Sequence, residues 1–180
     1  MEKNVIAAKK SIEFIKELIL AVLMALLFTS FIVSHNKIPS VSMVETINVG
    51  DHILTNMIPY YYRDPYRGEI VVFKQGNESW VKRVVGEPGD IIDIKEGNVY
   101  VNDKRLDESA YLASEGISDP TVPDQSVEFP YQVLEGQYFV MGDNRPDSHD
   151  SRYLGAIKRE KIYGKGWLKV YPFNQIGQLK

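Results

Sequence analysis

The chain has 180 residues, a net charge of −3 and no cysteine. This length suits one compact domain plus an anchor, the missing basic excess speaks against a nucleic-acid partner, and the missing thiols exclude thiol catalysis, disulfides and thiolate metal sites. His35, His52 and His149 stand at no metal-ligand spacing, so neither a metal nor another cofactor is expected.

Leu18 to Ser34 is an uncharged apolar run. At about 1.5 Å per residue such a helix spans roughly 25 Å, slightly short of a hydrocarbon core of about 30 Å. Ile12, Phe14 and Ile15 extend it, with Lys16 and Glu17 reaching for the headgroups. A buried core helix is seldom so uniformly apolar. A cleaved signal peptide ends on a small-x-small site, which Phe31-Ile32-Val33-Ser34-His35 does not offer. The reading is a transmembrane signal anchor over 18–34, between a short segment 1–17 and an outer domain 35–180. Lys3, Lys9, Lys10 and Lys16 precede the span. By the positive-inside rule the N-terminus then stays in the cytoplasm and the domain lies outside.

Past the anchor, Met57-Ile58-Pro59-Tyr60-Tyr61-Tyr62 is apolar and aromatic. It suits either the headgroup region or packing on the domain. Short strands are predicted at Ile70–Phe73, Val81–Val85, Ile91–Ile94, Val99–Val101 and Tyr138–Met141. Each is a β-branched or aromatic run bounded by turn residues such as Arg67-Gly68-Glu69, Glu87-Pro88-Gly89-Asp90 and Glu96-Gly97-Asn98. The spacing predicts a mainly β domain, a β-barrel-like or folded sheet, and not alternating βα units. Residues 104–132 are polar and broken by Pro120, Pro123 and Pro130, which predicts a surface excursion.

Three separated segments carry chemistry: Pro39-Ser40-Val41-Ser42-Met43, Trp80-Val81-Lys82-Arg83-Val84-Val85-Gly86, and Gly142 to Arg152. A serine hydroxyl is a poor nucleophile until a base takes its proton. A lysine amine serves once burial lowers its pKa from about 10.4. On a strand Lys82 shares a face with Trp80 and Val84, while Val81 and Arg83 point the other way. These residues alone leave Lys82 open between a buried base and a surface lysine on an edge strand. The Gly-, Asp-, Asn- and Ser-rich run 142–152 is equally open between a catalytic and a purely structural loop, and it does not meet the calcium-loop pattern.

In order behind the anchor, Pro39–Met43, Arg67–Phe73, Lys82–Asp90 and Gly142–Arg152 resemble the motifs of bacterial type I signal peptidases, also called leader peptidases. The resemblance implies a membrane-bound serine endopeptidase that removes signal peptides from exported preproteins, cutting after small residues of the Ala-x-Ala type. It implies Ser42 as nucleophile and Lys82 as general base. Ser148 would orient the lysine, and the Ser42 N–H with the Ser40 hydroxyl would form the oxyanion hole. Ile38, Pro39, Met43, Ile47, Val72, Trp80 and Val81 would line the substrate pockets, and the signal peptide would pair as an added strand. Arg83, Asp143, Arg145, Asp150 and Arg152 would form a charged scaffold. The implied partners are signal peptides and the lipid bilayer of a bacterial cell membrane, with the site on its extracytoplasmic face.

Two residues depart from the family pattern. Val41 stands where glycine is usual, and is strained if the backbone there needs positive φ. Glu45 stands where proline is usual and places a carboxylate near the entrance. The alternative expectation is a homologue that holds signal peptides without cutting, or cuts a narrow set. A Ser-His-Asp hydrolase would need His52 or His149 as base.

Overall fold

The computed structural model describes residues 2–44, 46–112 and 126–179, with side chains from residue 9 onward. Glu45 and residues 113–125 of the expected excursion lie outside the described residues. The first element, α1 (Glu2–Phe31), is a single helix. Within it Lys9–Phe31 is long and apolar enough to cross a membrane, and none of that window is buried in the protein. Its 23 residues span about 35 Å at helical rise.

This apolar helical stretch, Lys9–Phe31, starts and ends earlier than the expected 18–34. It starts earlier because the lysines and glutamates before Leu18 are good helix formers. It stops at Phe31 because Val33 and Ser34 already belong to a strand, β1 (Val33–Lys37), paired with β2 (His52–Asn56). The Met57 N–H donates to Ile32 O (2.9 Å) and closes this junction.

The domain that follows the helix is built on two antiparallel sheets. Its further strands are β3 (Ile70–Gln75), β4 (Glu78–Gly86), β5 (Ile91–Lys95), β6 (Asn98–Val101), β7 (Lys104–Arg105), β8 (Tyr131–Gln132), β9 (Gln137–Met141), β10 (Ile157–Lys158), β11 (Ile162–Tyr171) and β12 (Gly177–Gln178). The larger sheet runs β1-β2-β11-β3-β4-β9-β10, with β12 paired to β11, and the smaller runs β7-β6-β5-β8. All five strands predicted from the sequence are present. The β5–β6 connection is Glu96-Gly97 with φ of 50° and 75°, the positive pair a two-residue hairpin turn requires.

Strand alternation joins the two sheets. On β9, Tyr138 and Val140 enter a cluster with Val71, Phe73, Val84, Ile157 and Ile162. Phe139 and Met141 face the other way, packing with Val85, Ile92, Val99, Val101 and Val133. A third cluster of Ile38, Met43, Ile47, Ile53 and Ile70 lies under the turn that carries Ser42. Met43 is 1% exposed and Ile47 0%. Burying two such side chains contributes about 1.5–3 kcal/mol each, which fixes the turn from below.

Tyr60 is a buried core residue whose hydroxyl donates to Glu69 Oε2 (3.1 Å), whereas Tyr61 and Tyr62 are exposed. The Tyr61 hydroxyl donates to Phe31 O (2.9 Å) at the end of the anchor. Burial alone would push Glu69 up, but hydrogen bonds from Arg63, Lys165 and the Tyr66 N–H bring it down to about 2.

Candidate active site

The turn that carries Ser42 is short and tied at both sides. The Val44 N–H donates to Val41 O (3.0 Å) and the Ile47 N–H to Met43 O (2.7 Å). Asn144 crosses to it twice: its backbone N–H donates to Ser42 O (3.1 Å) and its side-chain amide to Val41 O (3.1 Å). Gly142 lies in the same contact. A Cβ there would stand 2.2 Å from Ser148 Oγ and 2.4 Å from Ser42 O, so only glycine allows the approach.

Val41 does not adopt the left-handed backbone that would strain it. Among the described residues, the non-glycine positions with positive φ are Glu96, Asn102 and Asp103. Valine in place of glycine therefore carries no backbone penalty here.

Lys82 sits on β4, paired with Val71 of β3 one residue before β9 joins the other side, and it is 4% exposed. It is not a surface lysine on an outer strand. Its Nζ lies 2.6 Å from Ser42 Oγ. As an ammonium it donates to that oxygen; as a neutral amine it accepts the serine proton through the same contact. Burial lowers the Lys82 pKa from its ordinary 10.5 to about 8. The Asp150 and Asp143 carboxylates pull it back up, and the Arg152 charge pushes it down. Ser40 Oγ is 3.3 Å from Ser42 Oγ, so the expected oxyanion donor stands beside the nucleophile.

Around this pair the charged residues are consumed by one another. Arg83 and Asp143 form a two-point pair (Nε to Oδ1 2.8 Å, Nη2 to Oδ2 2.7 Å), and Thr46 Oγ1 adds a bond to Asp143 (2.6 Å). Asp150 accepts from Ser148 Oγ (2.7 Å), from the Gly142 N–H (2.9 Å) and from Arg152 Nε and Nη2 (both 2.9 Å). Those donors hold the Asp150 carboxyl below the usual range against the burial that would raise it. By donating to Asp150, the Ser148 hydroxyl keeps its lone pairs available to a lysine N–H. Arg145 donates to Gly142 O (2.9 Å) and pairs with Glu108.

Glu108 and Tyr111 correct the picture of 104–132 as a plain surface excursion. The Tyr111 ring lies under the Arg83 guanidinium at 4.1 Å, and its hydroxyl donates to Glu108 Oε1 (2.8 Å). No local pattern announces either residue, because their partners are Arg83 and Arg145.

A cavity of about 570 Å³ opens above Ser42 and Lys82. Ile38, Pro39, Ser40 and Met43 line one side, and Trp80 and Val81 the other. Ile47 and Val72 do not line it. Both are 0% exposed and serve as core packing, which corrects their expected place in the substrate pockets. Asp147 and His149, outside the expected site, reach its wall. His52 is hydrogen-bonded to His35 (2.9 Å) and does not line the Ser42 cavity. Among the described residues no three His, Asp or Glu side chains are grouped to hold a metal ion.

A family profile described as "Signal peptidase, peptidase S26" matches residues 11–171. A probable signal peptidase I-2 of Synechocystis sp. is 38% identical over 93% of this chain and 77% of its own length. Signal peptidase I S of Bacillus subtilis is 34% identical over 98% of both chains. More distant, at 28% identity over 93% of this chain and 95% of its own, is a Staphylococcus aureus protein named an inactive signal peptidase IA. A crystal structure of a signal peptidase I from Enterococcus faecalis superposes with a TM-score of 0.50 at 31% identity, over 57% of this chain and 97% of that one. With the profile running from the apolar helix through β11, and relatives matched over 77% and 98% of their own length, this chain belongs to the signal peptidase family, the serine endopeptidases of peptidase group S26.

Proposed function

We propose that the protein is a membrane-anchored endopeptidase that cuts signal peptides from exported preproteins with a Ser42–Lys82 dyad. The observation that carries this reading is the 2.6 Å contact of Lys82 Nζ with Ser42 Oγ at the floor of the cavity.

In the first step Ser42 Oγ attacks the scissile carbonyl carbon while its proton passes to the neutral Lys82 amine. Negative charge builds on the carbonyl oxygen, where the Ser42 N–H and the Ser40 hydroxyl are the proposed donors. Collapse breaks the C–N bond, and the Lys82 ammonium returns its proton to the leaving amine. Water, deprotonated by Lys82, then attacks the ester, and the proton returns to Ser42 Oγ as the acid leaves.

Substrate chain placement follows from an open edge. Glu78 to Lys82 of β4 pair with β3, whereas β9 joins the other side of β4 only from Arg83 onward. An extended peptide adds a strand there through backbone hydrogen bonds and needs no particular side chains. Ile38, Met43, Trp80 and Val81 leave shallow apolar space beside it, which favours small residues. The four lysines in the N-terminal half of α1 favour a cytoplasmic N-terminus and an extracytoplasmic site. Tyr61 and Tyr62, exposed beside the end of the anchor, suit the headgroup level.

The pH–rate profile tests the dyad. Lys82 must be neutral to act, so kcat/KM is expected to rise with pH through about 8 and then level. His149→Ala and His52→Ala are expected to keep that limb. Disappearance of the limb in either histidine variant would remove lysine as the base.

A further inference from the structure

We propose that His149 determines specificity: with Trp80 it forms a wall of the Ser42 cavity that limits the size of the substrate side chain next to the cut. The proposal rests on the cleavage reading above and deepens it.

Trp80 is a fixed surface. Its indole N–H donates to Glu78 Oε2 (3.0 Å) and its ring meets Phe73 edge-on at 6.3 Å. His149 approaches that ring edge-on at 5.9 Å, and its other side is covered by Tyr153 at 4.7 Å. Tyr153 belongs to the short helix α2 (Ser151–Leu154), capped by Asp150 through the Arg152 N–H. The imidazole is thus exposed, yet held between rings from two distant parts of the chain.

His149 has little room to withdraw. Its neighbours Ser148 and Asp150 are both buried, and Asp150 is bound to Gly142, Ser148 and Arg152. The loop that supports the dyad thus fixes the backbone at His149, and the rings of Trp80 and Tyr153 hold its imidazole. Through its imidazole the loop meets Trp80 on the part of β4 that β9 leaves unpaired.

Strand geometry fixes which substrate residue meets the wall. Trp80 lies two residues before Lys82 on the same face, about 7 Å away along the strand. The Lys82 Nζ is 5.6 Å from the Trp80 ring. A side chain of the added strand facing this wall therefore belongs to a residue within two of the scissile bond. The proposed wall admits a methyl group and narrows the space for a branched or aromatic side chain on the His149 side.

The experiment uses the full chain in detergent and a peptide series derived from one signal sequence. One residue at a time, from the third before the cut to the second after it, is changed from Ala to Val, Leu or Phe. The expected result is position-specific. His149→Ala raises the ratio of kcat/KM for the Leu peptide over the Ala peptide by about tenfold or more at one position flanking the cut. His149→Phe, which keeps an aromatic wall, retains the wild-type profile. A His149→Ala profile parallel to wild type at all positions overturns the proposal, as does a uniform loss. So does broadening by His149→Phe equal to that of His149→Ala. Wild-type protein that cuts no peptide in the series would overturn the cleavage reading itself, a different result from cleavage with an unaltered profile.

Discussion

Lys82→Met is expected to abolish cleavage and at the same time to make the domain more stable near neutral pH. The activity loss follows because Ser42 then has no base within reach. The stability gain follows from the lowered pKa. The folded-state value, about 8, lies below the ordinary 10.5. Between those values the unfolded chain binds more protons than the folded one, so stability rises with pH across that window. Below about 8 the full cost of burying the ammonium is present. At about 1.4 kcal/mol per pKa unit, that cost is about 3 kcal/mol. Methionine fills the same space without a charge. Denaturant midpoints of wild type and Lys82→Met should therefore differ at pH 7 and converge above about 10.5. Equal stability at both pH values would show that Lys82 is not strained by its burial.

Asp143→Ala is expected to give the largest loss of stability. The Arg83 side chain is 2% exposed and that of Asp143 1%, so the pair is fully desolvated. Removing one partner of such a pair costs about 3–5 kcal/mol, because the other charge stays buried. The whole stability of a domain is about 5–15 kcal/mol. Thr46 also loses its acceptor, which loosens the turn behind Ser42. The double variant Arg83→Met/Asp143→Leu should recover much of the loss, since neither charge then remains. Equilibrium unfolding checks both. An Asp143→Ala variant within about 1 kcal/mol of wild type would mean that water, not protein, surrounds this pair.

The strands read from the sequence were those whose evidence is local. Ile70–Phe73, Val81–Val85 and Tyr138–Met141 are β-branched or aromatic runs between turn residues, and each is a strand. The strand Val33–Lys37 carries serine, histidine, asparagine and lysine, so its pairing with His52–Asn56 has no apolar signature. Ile162–Tyr171 is interrupted by Gly164, Gly166 and two lysines, yet it pairs with both β2 and β3. Its role is set by long-range partners, which no window of sequence contains.

The site shows the same division. Ser42, Lys82 and Ser148 were singled out because four motifs follow one another in order, not because any one is diagnostic. The burial of Lys82 is not readable from alternation, since the partner at its amine, Ser42, comes from 40 residues earlier in the chain. Glu108 and Tyr111 reach the site from a segment whose own composition marks only a loop, while His149 stands in the Gly142–Arg152 run but meets Trp80 only through the fold. Ile47 and Val72 share an apolar character with the true cavity residues, and only the fold separates wall from core.

The most direct test is cleavage of a purified preprotein, with Ala at the first and third positions before the cut, by wild type and by Ser42→Ala in detergent. The Ser42–Lys82 account predicts a cut at that site by wild type. It predicts a fall on the order of 10⁴-fold or more in Ser42→Ala, with the same denaturant midpoint within about 1 kcal/mol. Cleavage by Ser42→Ala within about tenfold of wild type would contradict it, because the nucleophile would then lie elsewhere.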